Sequence, residues 1–159
     1  MTVFEGQQTG TSLSVGIVCS RFNEFIVTGL LDGAMRGLRN CSVSDASIDV
    51  VWVPGAYEIP LAARTMALSG RYHALIALGA VIRGKTAHFE YVAGPCADGV
   101  AQVQLETGIP IGFAVLTTEN VEQAVERSGP AAGNKGEEAA IGAIEMVNVL
   151  KAIRNGTAH

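Results

Sequence analysis

The sequence predicts an α/β protein in which a four-stranded parallel sheet lies between two layers of helices. Four short apolar runs rich in valine and isoleucine recur along the chain, and none alternates strictly between apolar and polar residues. Such continuous apolar runs are typical of parallel strands buried on both faces. Segments with helical spacing separate the runs, and this regular succession is typical of sheets covered by helices on both sides. We therefore predict a three-layer α/β/α sandwich.

The first half of the chain contains two of the strands. The initial residues, with Val3 and Phe4 apart from the core pattern, predict either a short extra N-terminal strand or a frayed tail. A strand is predicted over residues 13–19 and another over 48–53, where Pro54-Gly55 ends it. The helix between them is indicated by apolar residues at helical spacing, namely Leu30, Leu31, Ala34 and Leu38.

The second half contains the other two strands, predicted over residues 74–82 and 110–116. Between them we expect a long helix with a kink or an interruption at Gly94-Pro95, since proline lacks the N–H donor and crowds the carbonyl of Tyr91. The segment 128–136 is rich in glycine and separates the last two helices. The final helix is indicated by Ala140, Ile144, Val147 and Leu150.

Composition limits the functional classes. A chain of 159 residues, 48% of them hydrophobic, predicts one compact domain over residues 1–159. The net charge of -4 and the lack of a basic block argue against nucleic acid as a partner. No apolar run approaches the roughly 18 residues that suggest a membrane span, so we expect a soluble cytoplasmic protein that does not bind membranes.

The three cysteines also bear on the kind of site to expect. Cys19, Cys41 and Cys96 are odd in number, widely spaced and free of any Cys-x-x-Cys pair. This pattern indicates neither a disulfide framework nor a zinc site, and it fits a reducing compartment. We predict no bound metal.

Ligands of open parallel sheets collect where the strands end and loops lead into helices. In this chain the segments to consider are 20–25, 54–60, 79–88 and 116–120. Residues 79–86, "GAVIRGKT", fit the phosphate-loop pattern of nucleotide-binding proteins. Against a nucleotide, Val81 and Ile82 are better suited to a strand, and no predicted strand ends in the acidic residue that helps to hold magnesium. Two other interpretations remain: a site for a single phosphate on the backbone amides around Gly84, Lys85 and Thr86, and a purely structural turn.

Most of the candidate residues in and near these segments have two interpretations. His88, in the first turn of a helix, is either an ordinary surface residue or a proton acceptor kept neutral by the positive end of the helix dipole. Phe22, beside Asn23 in an exposed loop, either covers the core or stacks on a planar heterocycle. Glu58 suits an early position in a helix whether or not it has a function. Phe113 is by default a core residue. Arg127 either complements the negative end of a helix dipole or binds phosphate.

Five separated segments, taken together, closely resemble lumazine synthase, and they follow that family in order and spacing over nearly the whole chain. They are "SRFNEFI" (20–26), "VPGAYEIP" (53–60), "GAVIRGKTAHFEYV" (79–92), "FAVLTTENVEQAVERSG" (113–129) and "AGNKGEEAA" (132–140). The resemblance implies a flavodoxin-like fold and a transferase of riboflavin biosynthesis. Lumazine synthases condense 5-amino-6-(D-ribitylamino)uracil with 3,4-dihydroxy-2-butanone 4-phosphate to give 6,7-dimethyl-8-ribityllumazine, phosphate and water. They use no metal or organic cofactor.

The resemblance also implies the site residues. Carried over by motif, His88 moves protons and Phe22 stacks on the pyrimidine, whose edge meets the backbone of residues 80–82. Residues 56–58 contact the ribityl chain and its surroundings, and Lys85-Thr86 with Arg127 hold the phosphate. The implied substrate-binding residues are Phe22, Asn23, Ala56, Tyr57, Glu58, Ala80, Val81, Ile82, Lys85, Thr86, Phe113, Arg127, Lys135 and Glu138.

Assembly is a further implication of the family. Its members place the residues equivalent to Phe113, Arg127, Lys135 and Glu138 in the neighbouring subunit of a homopentamer, and some build an icosahedral capsid or associate with riboflavin synthase. The lack of an insertion at 128–136 favours the capsid, although Pro130-Ala131 departs from the usual residues there.

Two positions depart from the family pattern within the site. Ala80 lacks the threonine hydroxyl expected in many relatives, and Lys85 stands where small residues or glutamine are more familiar. Lys85 either strengthens the attraction for phosphate or points into solvent. Two other functions remain open at this point: a nucleotide hydrolase and a non-catalytic flavin-binding or assembly protein.

Overall fold

The computed structural model describes residues 1–131 and 133–158 and contains four strands and five α-helices within them. Two short 3-10 helices, Asp45–Ser47 and Ala56–Glu58, flank the second strand. The strands are β1 Val15–Ser20, β2 Ile48–Val53, β3 Ala74–Ile82 and β4 Ile111–Thr118. The helices are α1 Glu24–Asn40, α2 Ile59–Leu68, α3 His88–Thr107, α4 Val121–Ser128 and α5 Lys135–Asn155. All four predicted strands are confirmed, β2 and β3 with the predicted bounds.

The strands form one parallel sheet in the order β2-β1-β3-β4. The chain passes from β1 to β2 on one side of β1 and then to β3 on its other side. The direction in which strands are added therefore reverses between β1 and β3. This is the arrangement of flavodoxin-like folds, which bind ligands at the carboxyl ends of the strands on either side of that reversal. The predicted three-layer architecture is confirmed.

Alternating residues of the central strands pack into two separate cores. Ile76 and Leu78 of β3 join β1, α1 and α5 on one face of the sheet, whereas Leu75 and Ala77 join α2 and α3 on the other. All four side chains are fully buried. Burial of a strand on both faces explains why β3 reads as an unbroken apolar run.

Asn134 connects three parts of the helical layer that contains α1 and α5. It caps α5 by accepting hydrogen bonds from the backbone of Gly136 and Glu137, and its amide donates to the carbonyl oxygens of Gly29 in α1 and Ser128 in α4. Only a glycine at position 33 leaves room for it, since a Cβ there would lie 2.0 Å from the Asn134 Oδ1. Asn134, in the segment predicted to separate the last two helices, therefore also fixes the packing of these helices.

Two local predictions are corrected. Residues 1–14 contain no strand, and they are not simply frayed, because the Asn148 side chain of α5 donates hydrogen bonds to the carbonyl oxygens of Gln7 and Thr9. Of the kink or interruption expected at Gly94-Pro95, the interruption is wrong, since α3 continues through Pro95, and the kink stays a prediction. Burial of Ala93, Cys96 and further residues of the same helix face offsets the hydrogen bond that proline cannot make.

Within residues 1–131 and 133–158, none of the helices has the length and apolar character that crossing a membrane requires.

Candidate active site

An open cavity of about 830 Å³ lies at the carboxyl ends of β1 and β3. Its position is where the reversal of strand order predicts a ligand site, and its volume is within the usual range for small-molecule sites, roughly 300–1,000 Å³. Five segments contribute its walls: the turns after β1 and β2, the end of β3, the loop that follows it and the first turns of α3. The lining residues are Phe22, Asn23, Pro54, Gly55, Ala56, Tyr57, Glu58, Ala80, Val81, Ile82, Gly84, Thr86, His88, Phe89, Tyr91 and Val92.

Phe22 presents its ring to this cavity from a loop that is held at both ends. Its backbone N–H donates to the carbonyl of Pro54 at 3.1 Å, which ties the loop to the end of β2. The side chain is 73% exposed, so the interpretation of Phe22 as a cover for the core is wrong. An exposed aromatic ring on a fixed loop is suited to stacking on a planar ligand.

Asn23, the next residue, ties the same loop to β3. It adopts the left-handed conformation, with φ of 60°, and its Nδ2 donates a hydrogen bond of 2.9 Å to the carbonyl oxygen of Ala80. Asparagine tolerates this backbone conformation better than most residues. The loop that carries Phe22 is thus fixed directly against the strand end that forms the cavity floor.

Residues 80–82 line the cavity as part of β3 and not as a loop. The first four residues of the phosphate-loop match, 79–82, are consequently in strand conformation, and α3 begins only at His88. A phosphate loop needs an open backbone over this stretch followed by a helix that starts near its lysine. Glu119 does follow β4 directly, but its carboxylate pairs with Arg83 at 2.9 Å. The strand geometry therefore argues against the nucleotide interpretation.

His88 is exposed and lines the cavity at the start of α3. The residue before it, Ala87, occupies the cap position of this 20-residue helix and offers no side-chain acceptor to the first backbone amides. Thr86 also lines the cavity, and its hydroxyl oxygen lies 3.4 Å from the His88 backbone nitrogen. Helix N-termini are suited to binding an anion, and here the N-terminus lacks a capping side chain at Ala87 and lies beside an accessible imidazole.

The turn after β2 supplies another wall of the cavity. Ala56 is buried, whereas Tyr57 and Glu58 are exposed and line the cavity. The Glu58 carboxylate lies close to the backbone of Gly55, where a Cβ in place of the glycine hydrogen would be 3.2 Å from Oε2. A carboxylate and a phenol at this place are able to hydrogen-bond a polyhydroxy chain.

Five other predicted site residues lie outside the set that lines this cavity. Lys85 is exposed on the loop before α3. The Arg127 guanidinium donates to the carbonyl of Gln123 in its own helix, and the Lys135 ammonium pairs with Glu138 at 2.8 Å. Phe113 lies on the edge strand opposite Ala77, about three residues or roughly 10 Å before the level of Ala80. With 42% of its side chain exposed, Phe113 is not the core residue that its strand position suggested.

Sequence reasoning missed some of the lining residues. Tyr91 and Val92 line the cavity because they lie three and four residues after His88, on the same face of α3. This spacing was a usable signal. Phe89 also lines the cavity, and no sequence pattern distinguishes it from a core aromatic residue.

Metal binding and thiol chemistry have no support at this site. Within the described residues, no group of three His, Cys, Asp or Glu side chains could hold a metal ion. The cysteines are free and buried, and burial raises the pKa of Cys19 to about 12 and that of Cys96 to about 11. A thiol with so high a pKa is a poor nucleophile near neutral pH.

Comparison with known proteins is consistent with this geometry. Residues 12–151 match the family model for 6,7-dimethyl-8-ribityllumazine synthase. A protein of Edwardsiella ictaluri (strain 93-146) named 6,7-dimethyl-8-ribityllumazine synthase is 56% identical over 155 residues, which cover 97% of this chain and 99% of that relative. The matched region includes every residue that lines the cavity.

Proposed function

This chain belongs to the 6,7-dimethyl-8-ribityllumazine synthase family, and we propose that the cavity around His88 is the place where its reaction occurs. The enzyme is a transferase of riboflavin biosynthesis that condenses 5-amino-6-(D-ribitylamino)uracil with 3,4-dihydroxy-2-butanone 4-phosphate. One observation carries the assignment to this cavity: the Phe22 ring, the end of β3 and the His88 imidazole all line it. A stacking surface, a row of backbone groups and a proton carrier are thus within reach of the same ligand.

The uracil substrate occupies the part of the cavity between β1 and β3. Its pyrimidine ring stacks on Phe22, and its polar edge meets the backbone of residues 80–82. The ribityl chain extends towards Tyr57 and Glu58, which supply hydrogen-bonding groups. Ala80 has no hydroxyl, so in this chain position 80 contributes through its backbone alone.

The phosphorylated ketone binds at the start of α3. The helix amides and Thr86 bind its phosphate, and this places the carbonyl near the pyrimidine amine. Lys85 lies on the same loop but does not line the cavity. Its positive charge therefore attracts the phosphate at a distance and does not form a fixed contact with it.

Each chemical step consists of proton transfer or orientation. The 5-amino group attacks the ketone and loses water to form an imine, phosphate leaves by elimination, and the ribitylamino nitrogen closes the ring with loss of a second water. Binding both substrates in one cavity supplies much of the acceleration. His88 assists the proton transfers, a contribution typically worth about 10²–10⁴-fold.

A neighbouring copy of the chain completes the site. Phe113, Arg127, Lys135 and Glu138 lie outside the cavity of their own chain, although the resemblance places all four in the site. Both facts are accounted for if these residues reach the cavity of an adjacent subunit in a homopentamer, which requires the isolated monomer to be inactive. We extend the proposal to a capsid of such pentamers, to association with riboflavin synthase and to a cytoplasmic location.

The reaction itself gives the test. The two substrates, mixed with the purified protein, should yield fluorescent 6,7-dimethyl-8-ribityllumazine faster than buffer alone. His88→Ala should lower kcat by about a hundredfold without preventing assembly, and Lys85→Ala should reduce it much less. If His88→Ala has the wild-type rate, this cavity is not the catalytic site. Tight flavin binding without any condensation would identify the chain as a non-catalytic member of the family.

A further inference from the structure

Arg83 joins three separate segments next to the cavity without lining it. It is the first residue after β3, and its guanidinium pairs with Glu90 in the first turn of α3 and with Glu119 after β4, the latter at 2.9 Å. The same guanidinium lies over the ring of Phe89, 4.3 Å from its centre. Its backbone N–H donates to the carbonyl of Thr118. These contacts connect the end of β3, the start of α3 and the turn that leads to α4.

Two of these partners follow His88 directly in the chain. Phe89 and Glu90 belong to the same helical turn as His88, so contacts that hold them also hold the backbone from which the imidazole projects. The loop that otherwise connects β3 to this turn, residues 83–87, contains Gly84 and is neither helix nor strand. Arg83 thus links the strand end to the first turn of α3 in addition to the chain itself and the packing of Phe89 on the core.

Charge and aromatic stacking act together in this link, whose groups are partly exposed to solvent. The hydrogen bond from Arg83 holds the pKa of the Glu90 carboxyl below its usual range, so the carboxylate stays charged in neutral solution. Arginine remains charged under all such conditions, and its planar group pairs with two carboxylates while it stacks on an aromatic ring. Lysine has no planar face for such stacking.

We infer that Arg83 is a positioning residue for His88, which holds the first turn of α3 at a fixed place relative to the end of β3. The inference rests on the proposed function, since it requires that His88 moves protons for a substrate bound against β3. Arg83 acts through its partners and does not touch the reacting atoms. Its effect should therefore appear in kcat and depend on the presence of the imidazole.

A double-mutant cycle tests this dependence. Arg83→Met keeps the length and apolar stem of the side chain but removes the charge and the planar group. We expect it to lower kcat by about tenfold, since small misplacements of a catalytic group have effects of this order or larger, and to change KM for the uracil substrate less than twofold. In a His88→Ala background the same substitution should have no further effect on kcat.

The controls separate positioning from general stability. Arg71→Met removes a comparable arginine, which pairs with Asp49 at 2.8 Å and lies over the Tyr72 ring before β3 begins, and it should leave kcat unchanged. Arg83→Lys should recover part of the rate lost in Arg83→Met. Glu90→Gln keeps the arginine and should lower kcat in the same His88-dependent way. It replaces Arg83→Met in the double-mutant cycle if that variant does not fold.

Three results would overturn the inference: an unchanged kcat in Arg83→Met, an equal loss of rate with and without His88, or a change confined to KM. Each of these results is compared with the kcat and KM of an active wild-type enzyme. An inactive wild type would instead contradict the proposed function.

Discussion

The Asn23 side chain donates its Nδ2 hydrogen to the carbonyl oxygen of Ala80 at 2.9 Å, 57 residues further along the chain. This bond lies at the carboxyl ends of β1 and β3, the two strands between which the sheet order reverses. It holds the loop of Phe22 against the end of β3. The Phe22 ring and the end of β3 therefore have one fixed relationship at the cavity. In the proposed binding mode, this bond sets the space in which the pyrimidine ring lies between them.

Removing this hydrogen bond should weaken binding of the uracil substrate. Asn23→Gly retains the left-handed backbone at low cost but deletes the donor. We expect KM for 5-amino-6-(D-ribitylamino)uracil to rise about tenfold, the equivalent of one hydrogen bond of about 1.4 kcal/mol. Asn23→Asp has the same shape and no donor, so it should be at least as impaired. Wild-type KM values in both variants would contradict this role.

Asn134 should be important for stability. Asn134→Ala removes four hydrogen bonds from a side chain that is only 4% exposed and leaves the carbonyl oxygens of Gly29 and Ser128 without this donor. We expect the free energy of unfolding in urea to fall by about 3 kcal/mol. The matched control is Asn120→Ala, which removes the single exposed cap bond to Gln123 and should cost about 1 kcal/mol. Equal losses in the two variants would show that burial and the extra bonds of Asn134 add nothing.

Ser20 should tolerate loss of its hydroxyl. Its Oγ is buried and, among the described residues, is the one such side-chain atom with no hydrogen-bond partner. Burying an unsatisfied hydroxyl is unfavourable, so Ser20→Ala should leave the unfolding free energy unchanged or raise it by about 1 kcal/mol. Ser128→Ala provides the contrast, since that hydroxyl donates to the carbonyl of Val125, and it should be destabilising. A clear loss of stability in Ser20→Ala would reveal a partner for this oxygen.

The buried thiols should make the protein less stable at alkaline pH. Burial raises the pKa of Cys19 to about 12 and that of Cys96 to about 11, from an ordinary value of 9.0. Above pH 9 the thiols ionise in the unfolded chain while they remain protonated in the folded one. The unfolded state then binds fewer protons, so stability is fully present below that pH and declines as the pH rises through the folded pKa values.

Urea unfolding measured at about pH 8 and about pH 10.5 checks the sign of this effect. The decrease should be smaller in a variant with both Cys19→Ala and Cys96→Ala, even though its stability at the lower pH is also reduced by the small cavities. An identical decrease in the wild type and the double variant would assign the alkaline loss to other groups.

The strands and their helical partners could be predicted from sequence because they depend on local patterns. An unbroken apolar run such as β3 indicates a strand buried on both faces wherever it pairs. The continuity of helix α3 was harder to predict. Proline disfavours the interior of a helix, but burial of the helix face around Pro95 outweighs this local preference. The anchored segment at residues 1–14 was missed since its contacts lie on Asn148, far along the chain.

The residues of the candidate site also divide into those that local sequence patterns indicate and those whose partners meet only in the folded chain. Residues in loops after strands, such as Phe22 and His88, could be predicted because the carboxyl edge of a parallel sheet is a general ligand position. The partners of Arg83 and Asn134 could not, because Glu119 and Gly29 are near them only in the folded chain. Phe113 was assigned to the core from its strand alone, and its exposure follows from the position of β4 at the sheet edge.

Co-assembly of two impaired variants tests the central claim, that the cavity of one chain acts together with Arg127 of another. His88→Ala and Arg127→Ala, unfolded, mixed in equal amounts and refolded together, should form lumazine at about a quarter of the wild-type rate, because random assembly in a cyclic oligomer pairs an intact cavity with an intact neighbour at one interface in four. Each variant refolded alone should be far less active than the mixture, His88→Ala at about a hundredth of the wild-type rate. A mixture no more active than the separate variants, with mixed oligomers present, would contradict the account.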